Sequence, residues 1–123
     1  MLNSKKKNYQ DIEERSFNFA IRIIKLVNSL PRTLAATEIG RQLVRSGTAI
    51  NSNVIHAKTA TSKKEFIYFI DKANQGAQET RCWIKMLVVA KIIKETPIVD
   101  LLKENTEIIS ILITISKRAK KKK

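Results

Sequence analysis

The chain has 123 residues, 43% of them apolar, and its 24 Lys and Arg against 11 Asp and Glu give a net charge of +13. That length suits one domain with its own core, and only three glycines and two prolines exclude the many turns of an all-β fold. The charge calls for a polyanionic partner, the single cysteine Cys82 excludes an internal disulfide, and no apolar run reaches the roughly eighteen residues that span a bilayer.

Residues 1–10 are polar and basic without periodicity, and the sequence predicts a flexible basic arm there that carries Lys5, Lys6 and Lys7. These lysines lead into Asn8, Tyr9, Gln10 and Asp11 instead of an apolar stretch. No ordinary secretory signal is therefore expected, and with one cysteine the chain reads as cytoplasmic.

Helical spacing then takes over in four segments, about 11–30, 35–57, 62–94 and 97–117, so that residues 11–117 are expected to form the bundle and 118–123 a basic tail. The first helix carries two apolar stripes, Phe17, Ile21, Ile24 and Val27 beside Phe19, Ile23, Leu26 and Leu30. Its wet side holds Arg15, Asn18, Arg22 and Lys25, and Pro31 stops it. In the second helix Ala36, Gly40, Leu43, Gly47, Ile50, Val54 and Ala57 share a face. Gly40 and Gly47 cost roughly 1 kcal/mol each relative to alanine in a helix interior. Close approach of a neighbouring helix would offset that, and neither glycine belongs to a phosphate-binding loop.

The third helix is the longest, with Ser62 and Glu65 spaced as a capping box. Phe66, Ile70, Ala73, Ala77, Thr80, Ile84 and Leu87 make its core stripe, and Trp83, Met86, Ala90 and Ile93 a second stripe that needs another neighbour. Cys82 reads as a buried structural thiol. Before the fourth helix, Thr96 is the expected N-cap and Pro97 the first helical residue. Ile98, Leu101, Asn105, Ile108, Leu112 and Ile115 keep the four-three spacing, with Asn105 either a polar residue on the seam or a rim position facing water. Short links between such helices predict an all-α, antiparallel up-down-up-down four-helix bundle.

Convergent catalytic groups are missing from the pattern. His56 is the sole histidine and lacks a glutamate three residues before it, and there is no HExxH or Cys/His cluster. No catalytic residue, metal or cofactor is expected, and the protein reads as a non-enzyme.

The run Arg41-Gln42-Leu43-Val44-Arg45-Ser46-Gly47-Thr48-Ala49-Ile50, followed by Asn53 and Ala57, by Ser62-Lys63-Lys64-Glu65-Phe66, and by Glu79-Thr80 with Trp83-Ile84, resembles the four-helix-bundle proteins encoded in 23S rRNA intervening sequences. The likeness is close over the second and third helices and follows only the pattern in the first and fourth. It implies an antiparallel four-helix bundle that assembles into a homo-oligomeric ring, typically a pentamer. It also extends to the accessory proteins of diversity-generating retroelements, basic rings associated with nucleic acid and a reverse transcriptase. The chain departs from the family pattern at His56 and Gly76, usually acidic, and at Cys82, commonly aromatic. Arg45, Asn53 and Glu79 match it, and are expected to hydrogen-bond between helices because a buried charge needs a partner.

Charge and resemblance together predict a basic oligomer that binds nucleic acid, RNA or an RNA–DNA intermediate, through phosphates. The candidate contacts are Lys5, Lys6, Lys7, Arg22, Lys25, Arg41, Lys63, Lys64, Lys117, Arg118, Lys120, Lys121, Lys122 and Lys123, with Gly40, Arg45, Gly47, Asn53, Glu79 and Trp83 structural. With 6% aromatic content, mostly on apolar faces, few platforms for base stacking are expected. The rival reading is a protein-interaction scaffold, such as a reverse-transcriptase accessory subunit. Membrane binding is disfavoured, since no amphipathic segment beside the lysine tail offers Trp or Phe for insertion.

Overall fold

The computed structural model describes the backbone of residues 4–122 and the side chains of residues 12–122. It holds four helices, α1 (Ser4–Asn28), α2 (Leu34–Lys58), α3 (Lys63–Val89) and α4 (Val99–Lys121), and no strand among the described residues. Each helix packs on the next in the chain and α4 returns to α1, while among the described residues the backbones of the diagonal pairs stay apart, so the four enclose one core as a bundle.

The four-three spacing places that core. Every residue of the α2 stripe from Ala36 to Ala57 is buried, as are Ile70, Ala73, Ala77, Thr80, Ile84 and Leu87 on α3. On α4, Leu101, Asn105, Ile108 and Leu112 are buried. The two stripes of α1 divide: Phe19 and Ile23 are fully buried, whereas Phe17 and Ile21 remain 55% and 38% exposed. Arg15 leaves the wet side to which its spacing assigned it, half-buried between α1 and α4, where it meets Glu104 and Glu107.

The glycines set two close approaches. A Cβ at Gly47 would stand 3.0 Å from Ile23 Cγ2, and one at Gly40 would stand 3.1 Å from Val27 Cγ1, so both glycines let α1 lie close on α2. Gly76 does the same for α2 and α3, its Cβ position being 3.1 Å from the Ser46 carbonyl oxygen. Beside it the buried Ser46 and Thr80 hydroxyls bond at 2.8 Å, and Thr80 also donates to the Gly76 carbonyl. The space a side chain at Gly76 would need is taken up by the α2 backbone.

Asn105 is on the seam: fully buried, it donates Nδ2 to the Ala77 carbonyl at 3.1 Å while its Oδ1 is left without a hydrogen-bond partner. Trp83 packs half-buried against the core, in the structural place expected for it. Arg45, Asn53 and Glu79 do not bridge helices. Arg45 and Glu79 are exposed, so neither charge needs a buried partner, and Asn53 donates to the Ala49 carbonyl in its own helix. Cys82 is exposed as well, because it sits one step off the buried stripe.

The helix ends differ most from expectation. α1 begins at Ser4, so residues 4–10, predicted as an arm, continue the helix; Lys and Gln are good helix formers and lengthening a formed helix costs little. At its other end Ser29 and Leu30 already bond three residues back, ahead of Pro31. Thr33, not singled out in the sequence, caps α2 by accepting from the Ala36 amide, and Lys58, expected in the loop, closes α2. Ser62 accepts from the Glu65 amide, the first half of the capping box, while the Glu65 carboxylate meets the Thr61 hydroxyl at 3.5 Å.

α3 stops at Val89, five residues short of Lys94. Lys91 adopts φ 61°, its amide bonds the Val88 carbonyl, and the Ile92 amide reaches back to the Leu87 carbonyl at 2.9 Å. This is a Schellman end with lysine in the left-handed position where glycine is usual. Ile92 and Ile93 thus turn onto the core instead of extending a second stripe. Thr96 does not cap α4: Thr96–Ile98 form a 3-10 turn, with Pro97 in it, that leads into the helix at Val99 without a side-chain cap. α4 then runs to Lys121, taking in most of the predicted tail.

Candidate nucleic-acid interface

The lysine-rich segments converge because of where the helices end. Lys58 closes α2, and its ammonium lies 3.3 Å from Glu13 on α1. Five residues later α3 starts with Lys63 and Lys64, both exposed. The last turns of α4 return to the same end, where Ser116 donates to Asp71 on α3 at 2.7 Å and Lys120 pairs with Asp71 at 3.6 Å. Lys117, Arg118, Lys121 and Lys122 are exposed around that anchor. Cations in the last turns of α2 and α4 are locally favourable, since they face the negative end of the helix dipole.

One end of the bundle therefore gathers Lys58, Lys63, Lys64, Lys117, Arg118, Lys120, Lys121 and Lys122. Against them stand Glu13, Glu14, Glu65 and Asp71, of which Glu13 and Asp71 are already paired. Exposed pairs of this kind contribute roughly 0–1 kcal/mol each, so they tether the lysines without silencing them. The α1 backbone that carries Lys5, Lys6 and Lys7 continues from Glu13 at this end, their side chains lying outside the described residues with Lys123.

The other candidates are elsewhere. Arg22 and Lys25 are exposed on the half of α1 that packs against Gly47 and Gly40, and Arg41 is 72% exposed on α2, within 4.0 Å of Glu38. The structure separates these three from the lysine-rich end. Lys58 belongs to that end but was not among the predicted contacts. Its place as the last residue of α2 comes from the helix running on to its C-cap at Thr59, whose amide bonds the Ile55 and Ala57 carbonyls.

A groove of mixed character opens between α1 and α2, lined by Phe17 and Ile55 together with Glu13, Glu14, Asn51 and Lys58. Asn51 spans the helix pair there, donating to the Glu13 carbonyl at 3.0 Å and to the Ser16 hydroxyl at 3.1 Å. Ile55 is 43% exposed, and with Phe17 and Ile21 it adds exposed apolar side chains to the outside of α1 and α2. No described helix is long and apolar enough to cross a membrane.

Comparison with known proteins agrees with this fold. A crystal structure of a Bacteroides thetaiotaomicron protein from the S23 ribosomal protein family superposes with a TM-score of 0.84 and 30% sequence identity, over 89% of this chain and 98% of that one. No curated protein matches the sequence. The family model of the 23S rRNA-intervening sequence protein matches residues 8–114. With four helices, their core stripes and the match running from α1 nearly to the end of α4, the chain belongs to the 23S rRNA-intervening sequence protein family.

Proposed function

We propose that the protein is a non-enzymatic, basic homo-oligomer that binds nucleic acid, RNA foremost, through phosphates at the lysine-rich end of the bundle. The observation that carries this is the convergence of Lys58, Lys63, Lys64 and the α4 cations from Lys117 to Lys122 on one end, with four acidic side chains among them in the described residues. Binding would follow counterion release, with affinity falling steeply as salt rises. The pairings Val27 with Gly40, Ile23 with Gly47 and Lys58 with Glu13, then Thr80 with Ser46 and Phe69 with His56, support an antiparallel up-down-up-down course.

Self-association is supported by the apolar side chains Phe17, Ile21 and Ile55 of α1 and α2, which lie unburied in the single chain. The pentameric ring of the family resemblance is the assembly we propose for it. Such symmetry would repeat each weak phosphate contact and add avidity. A protein partner is the second reading, as an accessory subunit of a retroelement reverse transcriptase. The same apolar side chains support it.

Light scattering coupled to size exclusion, with and without a short structured RNA across a salt series, tests the proposal. A multi-subunit species that binds RNA at low salt and releases it at high salt is expected. A discrete oligomer that ignores RNA at low salt would overturn the nucleic-acid reading in favour of the scaffold. Neutralising Lys117, Arg118, Lys121 and Lys122 to Gln is preferable to cutting after Ser116, because the cut removes the last turns of α4 and the Lys120 pair with Asp71. Each cation that touches a phosphate should, once neutralised, lower the salt slope by about 0.7–0.9.

A further inference from the structure

Tyr68 sits on α3 just past Lys63 and Lys64 and is 55% exposed. Lys64 and Lys72 lie four residues to either side of it, about 6 Å along the helix axis in each direction, so the three share one face. The Lys72 ammonium is 5.6 Å from the centre of the Tyr68 ring. The ring is also held from behind: Phe69 packs against it edge to face, 5.2 Å between centroids at 78°. Phe69 is half-buried and contacts on its other side the exposed His56 of α2, at 5.2 Å and 32°. Two acids lie three residues to either side of Tyr68 on α3: Asp71 is drawn to α4 by Ser116 and Lys120, and the exposed Glu65 meets the Thr61 hydroxyl at 3.5 Å.

We infer that Tyr68, flanked by Lys64 and Lys72, is a stacking platform for an unpaired base of single-stranded nucleic acid, with His56 across Phe69 as a second ring surface. The inference rests on the lysine-rich end being the nucleic-acid site and specifies what that end recognises. Any base offers a π-face to an aromatic ring, so stacking here is tolerant of sequence, and cations one turn to either side would meet the phosphates that flank the stacked base. A duplex keeps its bases stacked on one another and offers no free face to a ring on a convex helix surface. The geometry therefore favours single strands, loops and ends over paired segments. Tyr68 escaped the sequence reading because its neighbours His56 and Phe69 meet only through the packing of α2 on α3.

The test compares binding of the full-length protein to a short oligouridine and to an abasic oligonucleotide with the same number of phosphates, at one fixed salt concentration. Tighter binding of the oligouridine is expected. Tyr68→Ala should remove about a fivefold to hundredfold share of that affinity, the range of one base–aromatic stack, and Tyr68→Phe should keep it. Tyr68→Ala should leave the salt slope unchanged, whereas Lys64→Gln and Lys72→Gln should each reduce it by about 0.7. Equal binding of the two strands would overturn the platform and leave the phosphate-binding reading standing. Failure of both strands to bind at low salt would overturn both readings. Because the strand comparison uses the unaltered protein, it decides the matter even if a Tyr68 variant folds poorly.

Discussion

Two seams of the bundle are closed by opposite means. Between α2 and α3 side chains are withdrawn: Gly76 brings α3 against the Ser46 carbonyl, and the Ser46 and Thr80 hydroxyls complete a contact that is almost backbone on backbone. Between α1 and α4 side chains reach across: the Arg15 guanidinium holds Glu104 through two bonds of 2.7 and 3.0 Å and touches Glu107 at 3.3 Å. α2 and α3 share the most extensive helix contact, α1 and α4 the slightest of the four. A seam fixed by backbone shape has one spacing, while a seam bridged by long charged side chains tolerates several. α1, the helix with the exposed Phe17 and Ile21, is thus held to α4 by its most adjustable contact.

The largest effect should come from filling the tight seam. Gly76→Leu would drive a side chain into the Ser46 carbonyl and Ile50, and since backbone cannot yield as a side chain can, we expect a loss of about 3 kcal/mol and a thermal midpoint lower by roughly 10 °C. Gly47→Leu should cost less, about 1–2 kcal/mol, because its first obstacle is the Ile23 side chain. Thermal unfolding followed by circular dichroism orders the two. Equal losses, or an unchanged midpoint for Gly76→Leu, would mean that the α2–α3 spacing is not set by the absent side chain.

The ionic seam should respond to a different variable. Arg15→Met keeps the stem of the side chain and strands a carboxylate that is 21% exposed, so a loss of about 1 kcal/mol is expected at low salt. Added salt should narrow the gap between wild type and variant, as it does for partly exposed pairs. A gap that persists undiminished in high salt would assign Arg15 a packing role and erase the contrast between the seams.

That contrast also marks what the sequence could tell. Close packing was legible where α1 lies on α2, because Gly40 and Gly47 fall in phase with Leu43, Ile50 and Val54, and only close packing rewards glycine there. Gly76 was not read so, although it occupies the matching place on α3 between Ala73 and Thr80. The ionic seam was illegible: Arg15 has the spacing of a wet face, and only α4 lying alongside makes it a bridge. The same limit applies to Cys82, Arg45 and Glu79, whose burial depends on how far a neighbouring helix wraps around. At the candidate site, the charge of the α4 end was plain from its lysines. Its company with Lys58 and Lys64 needed the fold, and so did the ring cluster at Tyr68.

The smallest expected change lies outside both seams, at the end of α3. Nothing in the sequence from Ala90 to Lys94 signals a stop, for the left-handed position of the Schellman turn is occupied by Lys91 at φ 61°, where a Cβ costs roughly 1–2 kcal/mol. Lys91→Gly should relieve that strain but add freedom to the unfolded chain, for a net gain of about 0.5–1 kcal/mol. Its sign is opposite to every seam variant, and it should be additive with Gly76→Leu if the helix end and the seam are independent. A stabilising Lys91→Gly would show that the turn onto Ile92 and Ile93 is held by their burial against the local preference of the chain. A destabilising one would mean the lysine side chain itself supports the turn, and that α3 ends for a reason other than the packing of those two isoleucines.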